Sequence, residues 1–280
     1  MSSAPDPRTP EIVARLSRRR PLPGLYSGNV GAVLERGYLA VRSQNWAVLI
    51  SGFFEPVLYL LAMGLGMGGL VGTVAGPGGR PVSYAAYIAP ALLATSAMNG
   101  AIYDSTWNVF FKLNFARLYQ AMLQTSLGPL DVALGEILLA LVRGLIYALG
   151  FMAVMVAMGL VTSWWAVLMV PAAVLVAFGF ASFGMGITSF MRTFQQMDLI
   201  NFILLPMFLF SATLYPITVY PRAVQYVVEA MPLWHGVEMM RQLSVGHLTW
   251  VTGGHALYFV VMTGLGMWLT TTRLRALFLR

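Results

Sequence analysis

The chain reads as an all-α polytopic membrane protein, and three features say so. Hydrophobic residues make up 58% of its 280 positions and charged ones only 10%, where soluble domains carry about a quarter charged. The apolar residues collect in six runs suited to a hydrocarbon core roughly 30 Å thick, crossed at about 1.5 Å per residue. The basic residues gather at the ends of those runs, so the net charge of +7 reflects topology rather than a nucleic-acid surface. Without cysteine, disulfides and thiolate chemistry are excluded.

Residues 1–28 are rich in Pro and Arg and lack an apolar core, which predicts a disordered cytoplasmic tail and not a secretory signal peptide. Residues 29–45 place Val30, Val33, Leu34, Tyr38 and Val41 on one helical face, with Leu39 intruding on the polar side. This suits an amphipathic helix in the membrane interface; the alternative is a solvated lead-in to the first span. Residues 46–272 form the transmembrane domain, with spans at about 46–70, 85–111, 130–160, 165–190, 199–214 and 254–272, and 273–280 are a basic tail. The Gly/Pro-rich stretch 71–84 reads as a flexible loop. Residues 216–249, broken by Pro216, Pro221 and Pro232, read as short re-entrant or interfacial helices on the outside. Arginines of the first 42 residues, with Lys112, Arg117, Arg192, Arg273, Arg275 and Arg280, share one face, against Arg80, Arg222 and Arg241 opposite. The positive-inside rule then makes both termini cytoplasmic.

Ionisable groups at membrane depth cost roughly 2.5–3.5 kcal/mol on insertion scales, so each requires a reason. Glu55, Asp104, Glu136 and Arg143 are such groups. Glu136 and Arg143 lie seven apart, on one helical face but beyond direct contact. These charges either line a substrate route or pair with Arg143 or an interfacial arginine to lock the bundle. Phe53, Tyr59, Tyr103 and Trp107, with Phe54, Phe202 and Phe208, are candidates to line an amphiphile path, though packing or lipid contact would also account for them. Pro56, Pro90, Pro171 and Pro206 could kink spans around a cavity. Gly64, Gly66, Gly68 and Gly69, and Gly179, Gly184 and Gly186, suit close helix packing. No GxxxxGK[ST] run and no HExxH spacing occurs, and His235, His247 and His255 form no metal pattern. No catalytic residue, bound metal or cofactor is expected.

Between the second and third runs lies a basic segment with an apolar face, fit either to lie on lipid or to dock into a partner. It reads Arg117-Leu118-Tyr119-Gln120-Ala121-Met122-Leu123-Gln124-Thr125-Ser126-Leu127, followed by Pro129-Leu130-Asp131 and Gly135-Glu136. This run resembles the first cytoplasmic loop of ABC-2 type transporter permeases, in particular the branch of NodJ-type lipo-oligosaccharide and daunorubicin-type drug exporters. Tyr215-Pro216, Pro232 and Arg241 agree with that family's outer segment, so the likeness spans about residues 29–272. The resemblance implies a plasma-membrane exporter of amphiphiles that works as a dimer with a second permease subunit, identical or related, and two ABC ATPase subunits. ATP and Mg would be bound by those ATPases and not by this chain. Lys112–Ser126 would be the coupling helix, with Arg117, Leu118, Tyr119, Met122 and Leu123 engaging the ATPase beside Lys112. The rival reading is an ion-coupled secondary transporter using Glu55 or Asp104, which lacks the inverted repeat such proteins show.

Overall fold

The computed structural model describes residues 26–42, 54 and 56–278. The tail before residue 26, the start of the first expected span, Phe53 and Glu55 lie outside the described residues. The described chain is mostly helical. Helix α1 (Val30–Arg42) is followed by α2 (Pro56–Val71), α3 (Tyr84–Phe115), α4 (Leu118–Leu123), α5 (Pro129–Ala157) and α6 (Trp164–Thr188). Helices α7 (Gln195–Phe210), α8 (Arg222–Glu229), α9 (Pro232–Val245) and α10 (Trp250–Phe278) complete it.

Among the described residues, three helices are long and apolar enough to cross a membrane: α3, α5 and α6, of 32, 29 and 25 residues. Helices α2 and α7 are apolar but shorter. Helix α10 has 29 residues but carries His255 and several threonines, and is less apolar than the three. The stretch expected to be a flexible loop is instead ordered. Thr73–Ala75 (β1) and Pro81–Ser83 (β2) pair antiparallel, with Val74 opposite Val82. Gly78 and Gly79 take positive φ at the tip, where residues with a Cβ would be strained.

Local chemistry sets the helix ends. Ser83 accepts a bond from the Ala86 amide at 3.3 Å and opens α3. Gly128 and Pro129 open α5, and the Asp131 carboxylate takes the Gly128 amide at 2.8 Å. Gly246, at φ 73°, ends α9.

Helices α3, α5, α6, α9 and α10 enclose the core, with the most extensive helix contact between α6 and α10. Glycine permits this closeness: Gly184 faces Ser105 and Thr106, Gly179 faces Phe259, and Gly266 lies on the backbone of Ser182 and Phe183. Gly64 contacts Ala85, but Gly66, Gly68 and Gly69 meet open space among the described residues. Helix α1 lies along α5, with Val33 over Gly135 and Gly37 over Leu139. Of its expected apolar face Val33 is buried while Tyr38 is exposed, and Leu39 on the polar side is exposed as well. Among the described residues, helix α7 makes no extended contact with another helix.

The charged groups segregate along the bundle. One end gathers α1, α4, the start of α5 and the tip of α10, where Arg273 lies 4.4 Å over the Phe190 ring. The opposite end gathers the hairpin, the Trp164–Leu168 turn and α9: Gly78 faces His247, and the Thr162 hydroxyl donates to the Ser244 carbonyl.

Candidate functional site

Three of the four intramembrane charges belong to two ion pairs between α3 and α5. Arg143 donates to Asp104 at 2.8 Å, and Glu136 binds Lys112 and, at 2.9 Å, Arg36 of α1. On antiparallel helices, charges eight apart on α3 meet opposite charges seven apart on α5, so the same two-turn spacing serves both. Asp104 begins one widened, π-helical turn of α3, and Lys112 lies in a second, Phe111–Phe115. Such turns recur at functional sites. Asp104 is also bound by Asn108 at 2.7 Å. The Glu136–Arg143 distance is thus bridged through separate partners rather than by contact.

Lys112 belongs to the end of α3 and not to the short helix α4, which begins only at Leu118. Between them Arg117 adopts a left-handed conformation at φ 47° and turns the chain into α4. The residues of the expected docking face divide between buried and exposed positions. Tyr119 is fully buried and Met122 nearly so, because α4 lies on the start of α5 and has only one free side. That side presents Arg117, Gln120, Ala121 and Gln124, spaced three and four apart. Leu118 and Leu123 are half-buried at its margins. The Tyr119 hydroxyl finds no partner among the described residues. Burial, and then the Glu136 carboxylate, push it well above the ordinary phenol range, with Arg36 opposing.

Asp131 holds a second junction. Besides Gly128 its carboxylate accepts from the Ser27 amide at 2.8 Å and the Asn29 amide at 3.0 Å. The entry to α1 is therefore fastened to the first turn of α5. In the sequence Asp131 stands only as the last residue of the Pro129-Leu130-Asp131 run.

Tyr59, Tyr103 and Trp107 converge on one open cavity of about 420 Å³ between α2, α3 and α7, which Phe208 and Pro56 also line. Phe54 and Phe202 are exposed and do not line it. A second cavity, of about 680 Å³, lies on the other side of α7 against α6 and α10.

Two features of the opposite end carried no sequence signal. Arg241, expected on the outer side, is only 2% exposed. Its guanidinium lies 3.8 Å over Tyr87 and donates to the carbonyls of Ala212 and Thr213 at 2.6 and 2.9 Å and to Glu238 at 3.1 Å. It thereby pins the chain as it leaves α7, where Ala212 itself takes φ 54°. His235 of α9 and His255 of α10 face each other through Nδ1 atoms 2.8 Å apart, with Tyr258 stacked at 4.0 Å. Burial, and then the neighbouring His255, lower His235 to about 4. Among the described residues no group of three or more His, Cys, Asp or Glu could hold a metal.

A family model described as ABC-2 type transporter matches residues 29–245. Nodulation protein J of Rhizobium leguminosarum bv. trifolii is 31% identical over 218 residues, covering 77% of this chain and 81% of the relative. Nodulation protein J of Rhizobium leguminosarum bv. viciae is 30% identical over 217 residues, covering 77% and 82%. The protein of the same name in Rhizobium meliloti (strain 1021) is 29% identical over 217 residues, covering 77% and 80%.

Proposed function

The chain belongs to the ABC-2 type transporter family, and from that membership we propose that it is the membrane-spanning permease half of an ATP-driven exporter of amphiphiles. The basic end of the bundle faces the cytoplasm of the plasma membrane, and both termini lie there. Two such permeases, identical or related, form the path, and two ABC ATPases that bind ATP and Mg dock beneath them.

The observation that carries this reading is the placement of α4. It sits at the basic end between two membrane helices, one face seated on α5 and the other free. Force on Gln120, Ala121 or Gln124 passes through buried Tyr119 to the start of α5. The Glu136 cluster next to it joins α1, α3 and α5. A tilt of α4 therefore acts on three helices together and biases the bundle between two arrangements when ATP closes the ATPases. The substrate route runs through the cavity lined by Tyr59, Tyr103 and Trp107. The ion-coupled alternative is not favoured, since Asp104 is engaged by Arg143 and Asn108.

The test is co-purification from the native membrane with mass spectrometry. The native chain is expected to bring a stoichiometric Walker-motif ATPase. The double substitution Ala121→Asp with Gln124→Asp, on the free face, is expected to lose it while the permease inserts and accumulates normally. Tyr119→Asp does not serve for this purpose, since a carboxylate placed in that buried position disrupts the fold itself. An ATPase that still co-purifies with the double variant would refute α4 as the docking element. Failure of the native chain to bring one under gentle extraction would refute the exporter reading.

A further inference from the structure

The basic end of the bundle divides into two halves. On the side of α1 and α5, Arg36, Lys112 and Arg143 each meet a carboxylate of this chain. On the side of α6, α7 and α10, Arg192, Arg273 and Arg275 meet none among the described residues. Asp198, in the first turn of α7, is exposed and pairs with none of the three. Packing brings these arginines to one place. Helix α10 follows α6 to its end: Leu269 lies against Gly186, and the Thr270 hydroxyl donates to the Ser182 carbonyl at 3.1 Å. One turn further on, the Arg273 guanidinium covers the Phe190 ring. Arg192 comes two residues after that ring, in a turn held by Gln196, whose side-chain oxygen accepts from the Arg192 and Thr193 amides at 2.7 and 3.3 Å. Arg275, two residues past Arg273, is exposed like Arg192.

Two features select what this cluster holds. The Nε–H of Arg273 is buried and finds no partner among the described residues, and such a donor is unfavourable until an acceptor reaches it. With one face of the guanidinium on Phe190, its N–H edge is left for an anion, and that edge matches two oxygens of a phosphate. The second feature is the rings beside the arginines. Phe190 and Phe194 are half-exposed, although Phe194 packs on Trp107 at 5.2 Å. Rings left open next to cations at a helix end belong at the border of head groups and hydrocarbon rather than in water. Charge and rings together fit an anion that carries its own apolar body.

We propose that the turn between α6 and α7, with the tip of α10, binds an acidic phospholipid. Its phosphate lies on Arg273 and Arg192, Arg275 adds charge, and the upper part of its acyl chains rests on Phe190 and Phe194. Basic pockets between membrane helices suit such head groups. The site is separate from the free face of α4, so it stands whether or not an ATPase docks there. A lipid held in this way joins the ends of α6 and α10 to the entry of α7.

The experiment is native mass spectrometry of the full chain in detergent, titrated with dioleoyl phosphatidylglycerol and, separately, with dioleoyl phosphatidylcholine. Phosphatidylglycerol is expected to bind at least about tenfold more tightly. Arg192→Gln and Arg275→Gln, at exposed positions that leave the core undisturbed, are each expected to weaken it about fivefold. Arg273→Lys keeps the charge but loses the planar edge, and is expected to weaken it by a similar factor. Arg117→Gln and Arg222→Gln, at exposed arginines elsewhere, are expected to leave it unchanged.

Equal binding of the two lipids would overturn the proposal. So would an equal loss on Arg117→Gln, which would reduce the preference to a general attraction toward the basic end. Displacement of the lipid by inorganic phosphate at equal concentration would show that a free anion, and not a lipid, is the ligand. If the double variant Arg192→Gln with Arg275→Gln keeps its lipid but loses the ATPase on co-purification, the cluster is a protein-docking surface and the lipid assignment fails. Co-purification of the ATPase with the native chain decides the exporter reading separately.

Discussion

At the scale of single residues, Glu136 has the largest role in the basic end, since one carboxylate that is 6% exposed answers two cations. Glu136→Ala is expected to destabilise the purified protein by about 3 kcal/mol, the low end for a broken buried pair because Arg36 and Lys112 keep partial solvent access. A melting temperature equal to the native one would contradict this. His235 supplies a pH dependence. Its folded value of about 4 lies below the ordinary 6.5, so between those values the unfolded chain holds more protons. Stability is therefore full above about pH 6.5 and falls as the pH drops toward 4. Melting curves across that window should have a slope that His235→Phe flattens; an unchanged slope would place the titration elsewhere. Sequence reading recognised Glu55, Asp104, Glu136 and Arg143 as requiring an explanation, because charge within an apolar run is visible in one dimension, and took Lys112 for part of the loop that follows. Their partners were less visible, although opposite charges eight apart on one helix and seven apart on the next carry a register signal. Arg241 and the His235–His255 pair left no such signal, since their partners are backbone carbonyls and a ring on another helix.

At the scale of elements, close approach between α6 and α10 depends on Gly266. A Cβ there would stand 2.6 Å from backbone atoms of Ser182 and Phe183, which cannot step aside as a side chain end can. Gly266→Ala is expected to cost about 1–3 kcal/mol through overpacking. Gly264→Ala, which meets open space two residues earlier, should leave stability unchanged in the same detergent melt. Equal melting of the two variants would show that the contact is dispensable. Helix positions were legible for α3, α5 and α6 because their apolar runs are long and their ends carry Ser83, Gly128-Pro129 and Trp164-Trp165. The short α4 was legible as a helix but not in its orientation. With six residues and apolar side chains on both sides, composition does not say which face meets α5. The packing placed Tyr119 inside and left a face of Gln120, Ala121 and Gln124 that hydrophobicity alone would not choose.

At the scale of the whole molecule, the sequence carried the membrane class and the segregation of charge to one end, since both follow from the cost of moving ions across hydrocarbon. It did not carry the grouping of cavities around α7, which depends on how widely that helix stands from its described neighbours, a spacing that one-dimensional patterns do not report. The fastening of α1 by Asp131 has a consequence in time. The amides of Ser27 and Asn29 are 104 and 102 residues upstream of that carboxylate. At about 5–20 residues per second of synthesis, the partner emerges roughly 5–20 s after the helix that needs it. Throughout that wait the nascent α1 has no Asp131 to close on. Its Tyr38 and Leu39, exposed even in the folded chain, leave it an apolar surface to shelter until the second long helix is threaded and the clasp can close.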